Sequence, residues 1–286
     1  MTLAGYRIDA LDTGAFRLDG GAMFGIVPRA LWARQHPPDE QNRIRMAMRC
    51  LLLRGHGRTI VVDTGLGHTY DEKFARIYAV DETGGTLERS LAALGVAPED
   101  VTDVLLTHLH FDHAGGAVGQ DAGGAHRLTF SAATHYVQRS HWAWAHESPR
   151  EQASFLPDKL GPLGDSGRLH LLDGEDAPFP NARLIVVNGH TRGQQLLLVE
   201  GDEGALLFAA DLLPTAAHVP LLWVMAYDVE PLATLAEKKA ILAQAADHGW
   251  TVCFEHDPEV AVARIVRSER GGFEASGAQP RLTLLR

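Results

Sequence analysis

Residues 107–116 read Thr-His-Leu-His-Phe-Asp-His-Ala-Gly-Gly, which puts His108, His110, Asp112 and His113 within six residues. Side chains alternate along an extended chain, so His108 and His110 share one face. Asp112 and His113 then fall where the backbone turns towards a helix, and Gly115-Gly116 permits close backbone packing there. One short segment can thus offer imidazoles and a carboxylate to two neighbouring cations. Such donors suit zinc and equally iron, manganese or cobalt. A lone histidine is most often a satisfied polar residue, but three with an aspartate directly after an apolar strand favour a metal site.

That strand is Val101–Thr107, apolar at Val101, Val104, Leu105 and Leu106. Ahead of it, Tyr6–Leu18, Ala47–Leu53 and Thr59–Val62 read as strands, the last two joined by the turn Gly55-His56-Gly57. Residues 20–45 form an irregular loop rich in Gly and Pro. Thr86–Leu94 reads as a helix stopped by Gly95. Short strands follow at Leu128–Phe130, Leu169–Leu172, Leu184–Val187, Leu196–Val199, Ala205–Ala209 and Thr251–Phe254. Helices are expected at Ala132–Ala145, Leu232–His248 and Glu259–Val266. Strand pairs followed by a strand–helix pattern, with that order repeated in the second half, indicate an α/β protein of two packed sheets with helices on both outer faces. No linker divides the chain, so residues 1–286 are expected to form a single domain.

The chain has 26 Lys plus Arg against 36 Asp plus Glu, a formal charge of −10, which argues against nucleic acid as a partner. Charged residues interrupt the first twenty positions, so no signal peptide is read there. The longest apolar stretch, Val219–Tyr227, contains Pro220 and is far shorter than the roughly 20 residues of a membrane span. A cytoplasmic location is therefore expected. Only Cys50 and Cys253 are present, which excludes a disulfide framework and a cysteine zinc site. His135, His141 and His146, with Trp142 and Trp144, read as one amphipathic helix rather than a further metal site.

His-x-His-x-Asp-His after a strand resembles the signature of the metallo-β-lactamase-fold hydrolases. The resemblance extends from about Arg49 to Pro258 and implies a four-layer αββα sandwich. Its later ligands match His190 in Gly189-His190-Thr191, Asp211, and His256 in Phe254-Glu255-His256-Asp257-Pro258. It implies one metal on His108, His110 and His190, a second on Asp112, His113 and His256, and Asp211 bridging the two. The cofactors expected are two divalent ions, zinc first, with a bridging hydroxide as nucleophile. Asp112 and Asp211 are the catalytic carboxylates on this reading, Asp112 also moving a proton. Asp63, in Val62-Asp63-Thr64-Gly65, matches the family's carboxylate that receives the second N–H of a metal-bound histidine.

The stretch Asp211–His218, followed by Tyr227-Asp228, Pro231 and Lys238-Lys239, is similar to the lactonase and organophosphate-hydrolase branch. Met23, Phe24, Tyr227 and His218 are the expected pocket residues. Asp211 stands where β-lactam-hydrolysing relatives have Cys or lack the bridging carboxylate, so antibiotic hydrolysis is not expected. One departure is Pro214, where lactonases of this type carry a tyrosine that holds the substrate carbonyl; Tyr227 and His218 are the residues that could take its place. The expected activity is opening of a small, fairly apolar lactone or ester. Phosphotriester hydrolysis is the alternative, and a diiron oxidoreductase of the same fold is the alternative of another class. The expected partners are a small-molecule substrate and, at most, a second copy in a homodimer, with no nucleic acid and no membrane.

Overall fold

The computed structural model describes residues 1–269 and 271–285. The chain divides into two compact units, one made of Gly5–Ala15 and Met48–Gly174, the other of Met1–Ala4, Phe16–Ala47 and Glu175–Arg286. A short strand, β1 (Thr2–Leu3), opens the chain, and two long ones follow, β2 (Tyr6–Asp19) and β3 (Arg43–Gly55).

In the first unit, β2 and β3 continue into β4 (Arg58–Val62) and β5 (Asp103–Leu105). His56 and Gly57 both have positive φ, as a tight hairpin turn requires, and they set β3 against β4 with Leu51 opposite Val62. From β4 onwards the pairing is parallel. Ile60, Val61, Val62, Val104 and Leu105 are fully buried, as expected of parallel strands covered on both faces.

A small hairpin, β6 (Val118–Gln120) and β7 (His126–Leu128), precedes β8 (Thr134–Gln138) and β9 (Leu169–Leu172), which extend the parallel sheet beyond β5.

The second unit carries a six-stranded sheet. Its strands are β10 (Ala182–Val187), β11 (Gln194–Gly201), β12 (Gly204–Phe208), β13 (Thr251–Cys253), β14 (Val262–Arg267) and β15 (Phe273–Gln279). Neighbours are antiparallel except β12 and β13. A parallel pair needs a crossover, and a long helix lies in that connection.

Helices α1 (Gly20–Phe24) and α2 (Arg29–Trp32) lie within the expected loop of residues 20–45. Next come α3 (Glu72–Tyr78), α4 (Leu87–Ala93), α5 (Phe111–Ala114), α6 (Arg139–Glu147) and α7 (Pro157–Asp165). The crossover helix is α8 (Pro231–His248), close to the predicted span.

Two helix expectations are corrected. Glu259–Val266 is not a helix, because β14 occupies most of it. Val262, Ile265 and Val266 are β-branched, and pairing with β13 and β15 wins over helical spacing. Ala132–Ala145 divides into β8 and α6, because Thr134, Tyr136 and Val137 join the parallel sheet beside β5 before the helix starts. Among the described residues no helix is long and apolar enough to cross a membrane.

The ligand-bearing turn follows β5 directly. A Cβ on Gly115 would lie 2.3 Å from the Leu66 carbonyl oxygen, and one on Gly116 2.3 Å from that of Thr64. Backbone therefore packs on backbone beneath α5. Gly116→Ala is expected to cost about 1–3 kcal/mol through overpacking, read as a lower denaturation midpoint.

A second test concerns His68, whose two ring nitrogens lie 2.8 Å from Glu82 and 2.8 Å from Glu88. Both partners accept only, so the ring is held as imidazolium. The hydrogen bond and charge of Glu88, aided by Glu82, raise its pKa from 6.5 to about 9. A raised folded pKa gives stability that is full below 6.5 and lost as pH climbs through about 9. The thermal-midpoint difference between wild type and His68→Gln should shrink over that window, and a constant difference would refute the clamp.

Candidate metal centre

The first unit supplies a row of buried ligands. His108 and His113 are fully buried, and His110 and Asp112 nearly so. Their rings are held by hydrogen bonds on one nitrogen each. The Asp63 carboxylate accepts from the Thr107 N–H (2.7 Å) and hydroxyl (2.6 Å) and from His113 Nδ1 (3.1 Å). Its φ of +55° turns the chain at the end of β4, a conformation that aspartate tolerates better than most residues. Since the Thr107 hydroxyl donates to Asp63, it accepts from His108 Nδ1 (3.1 Å). Glu151 accepts from His110 Nε2 (2.9 Å). The Leu109 N–H donates to His141 Nε2 (2.8 Å), so His141 on α6 holds the backbone between the two histidines.

These assignments leave lone pairs on His108 Nε2, His110 Nδ1 and His113 Nε2. The first two face each other at 3.0 Å. With both ring protons committed elsewhere, that approach is repulsive unless a cation or an added proton intervenes. His113 Nε2 lies 3.8 Å from the Asp112 carboxylate. Tyr78 on α3 packs its ring 4.9 Å from Phe111, and burial first and the Asp112 charge second raise its hydroxyl pKa.

The second unit holds its own set of buried donors. Asp211 follows β12, with His190 Nε2 at 3.2 Å from one oxygen and His256 Nε2 at 3.0 Å from the other. His190 Nδ1 donates to Asp228 (3.0 Å), and His256 Nδ1 donates to the Ala47 carbonyl (2.8 Å). Both Nε2 atoms therefore turn lone pairs towards a carboxylate, which again calls for positive charge between them. Asp257 accepts from Ala216, Glu259 and Val260 N–H groups at 2.8–3.0 Å, tying the segment after Asp211 to the His256 turn. The donor set fits divalent metal: imidazoles with fixed tautomers, and one carboxylate with an imidazole at each oxygen.

Residues 49–256 match the family described as the Metallo-beta-lactamase superfamily. The chain belongs to the metallo-beta-lactamase superfamily. An N-acyl homoserine lactonase of Bacillus cereus is 26% identical over 175 residues, 58% of this chain and 63% of that relative, so under two thirds of its length is spanned. A Staphylococcus aureus protein described as "a probable metal-dependent hydrolase" is 30% identical, with a TM-score of 0.89 and full coverage of both chains. AidC, described as a dizinc quorum-quenching lactonase, is 21% identical, with a TM-score of 0.78 over 100% of this chain and 97% of its own. These likenesses establish the mixed α/β fold of the superfamily, with its multiple sheets.

Within that fold the second unit buries Met23, Phe24 and His218 together. Phe24 stacks on Trp32 (5.4 Å) and on His218 (4.7 Å), and His218 donates to the Met23 carbonyl (2.8 Å). Burial pushes His218 down to about 3, so the ring is neutral at physiological pH. Tyr227 is 37% exposed.

Sequence reasoning missed two carboxylates. Glu151 is 5% exposed and also accepts from Ser148 (3.1 Å) and the Trp144 indole. It sits in a polar run, Ser148-Pro149-Arg150-Glu151-Gln152, that reads as a solvated loop. Asp228 was visible only as half of a Tyr-Asp pair. Glu151→Gln is expected to weaken metal retention by roughly 10–100-fold while the fold is kept. Chelator competition followed by metal analysis measures this, and unchanged retention would rule out the assigned role.

Proposed function

We propose that this chain is a metal-dependent hydrolase that opens a small, fairly apolar lactone or ester with two divalent cations, zinc foremost. His108, His110 and His190 would hold one cation and Asp112, His113 and His256 the other, with Asp211 available to both. The observation that carries this reading is the pair of imidazole lone pairs set against the two oxygens of Asp211, with every outer ring nitrogen already donating. Superfamily membership and the lactonase and hydrolase relatives support it.

Bound cations supply Lewis acidity and lower the pKa of water towards neutrality. The protein's own residues do the rest. Asp63, Thr107, Glu151, Asp228 and the Ala47 carbonyl keep the imidazoles in the ligating tautomer. On this reading Asp112, beside His113, takes a proton from the attacking water and returns it to the leaving oxygen. Pro214 offers no hydroxyl to a substrate carbonyl, which favours a lactone or ester outside the acyl-homoserine class.

The test is a hydrolysis panel on the zinc-loaded protein: lactones of increasing chain length, aryl esters and an aryl phosphotriester. Turnover is expected on the lactones or esters. Asp112→Ala should lower kcat by roughly 10²–10⁴-fold, with metal content measured in parallel. His110→Ala should lose metal and activity together. Activity confined to the phosphotriester would overturn the substrate assignment, and undiminished turnover in Asp112→Ala would remove its proton-transfer role.

A further inference from the structure

Two adjacent residues of α8 grip the two segments that hold His190 in place. Glu237 spends one carboxylate oxygen on the Asn188 N–H (2.7 Å) and the other on the Gly189 N–H (3.0 Å). Lys238, 1% exposed, donates to the carbonyls of Pro220 (3.1 Å), Leu221 (3.3 Å) and Trp223 (2.7 Å). An ammonium has three N–H donors, and here three carbonyls of one turn receive them. An apolar side chain at this position would remove the ammonium from all three carbonyls, leaving Pro220 only its bond from the Trp223 N–H (3.0 Å).

The gripped segments meet at the ligand. Five residues beyond Trp223, Asp228 accepts from His190 Nδ1. The Val229 N–H then donates to the His190 carbonyl (3.1 Å) and the Glu230 N–H to that of Gly189 (2.9 Å). Gly189 lies so close to the first turn of α8 that a Cβ would sit 2.3 Å from the Thr234 nitrogen. Burial lowers the Lys238 ammonium to about 7, opposed by the charge of Asp228.

We propose that Glu237 and Lys238 are positioning residues: the anion holds the His190 turn by its N–H groups, the cation holds the Pro220–Trp223 turn by its carbonyls, and together they keep Asp228 on His190 and His190 Nε2 aimed at Asp211. This rests on the reading of His190 as a metal ligand. Losing either grip leaves the ligand present but misaimed.

The experiment titrates zinc out of the loaded protein with a competing chelator, for wild type, Lys238→Met, Lys238→Arg, Glu237→Gln and His190→Ala, with the unfolding midpoint of each metal-free protein measured alongside. Lys238→Met and Glu237→Gln are expected to release zinc at roughly tenfold or more lower chelator concentration, in the range found for partners of metal ligands. Lys238→Arg, which retains charge and donors, should recover part of the loss. A purely structural role would lower the midpoint and leave zinc release at the wild-type value, and that result overturns the proposal. Should Lys238→Met fail to fold, Glu237→Gln decides in the same way. Wild-type zinc release from His190→Ala would instead overturn the ligand reading, and this proposal with it.

Discussion

An imidazole can present a lone pair to a cation only while its other nitrogen is held as a donor, and in a buried site that proton must go to a fixed acceptor. Each of the five candidate ligand histidines meets this condition with a different partner: a hydroxyl, three carboxylates and a backbone carbonyl. The cost appears on the inner side. Lone pairs converge on one another in the first unit and on the Asp211 oxygens in the second. Such repulsion is strong where water is scarce. A divalent ion placed among these donors would relieve it.

The scaffold supplies these partners from segments far apart in sequence. Asp63 arrives from the end of β4, one strand over from β5, because parallel strands place their carboxyl ends side by side. Glu151 comes from the loop after α6, and the same loop accepts the Phe111 N–H through the Ser154 carbonyl, so the partner and the ligand helix are fastened together. In the second unit, α8 fills the crossover between the parallel pair β12 and β13. The helix that satisfies topology there also reaches the His190 turn.

The aromatic stack Trp32–Phe24–His218 has a different character. Its members are buried and ring-on-ring, and His218 is kept neutral by desolvation. The stack joins α1 and α2 to the segment after Asp211, which makes it packing for residues 20–45. Ile26, 86% exposed, and Leu222, 65% exposed, are among the apolar side chains that this packing leaves at the surface of the same unit.

Much of this was written locally. The apolar strand leading into His-x-His-x-Asp-His, the strands before His190, Asp211 and His256, and the helix read at Leu232–His248 are patterns of neighbouring residues, while the choice of those three later residues came from the family resemblance. Asp63 was marked by the resemblance of Val62-Asp63-Thr64-Gly65 to the family's strand end, and the structure places it on His113 Nδ1. Where strand and helix propensity competed, as at Glu259–Val266, only pairing with β13 and β15 decided the outcome. Glu151 and Glu237 carry no local signal, and Asp228 and Lys238 stood out only within the stretch similar to the lactonase branch, with no role attached, since an acid or a lysine in a polar stretch looks solvated until the chain folds over it. Sequence determined which atoms could bind a cation; tertiary structure alone decided which nitrogen of each ring faces it, because that choice belongs to acceptors about 40 residues or more away in most cases.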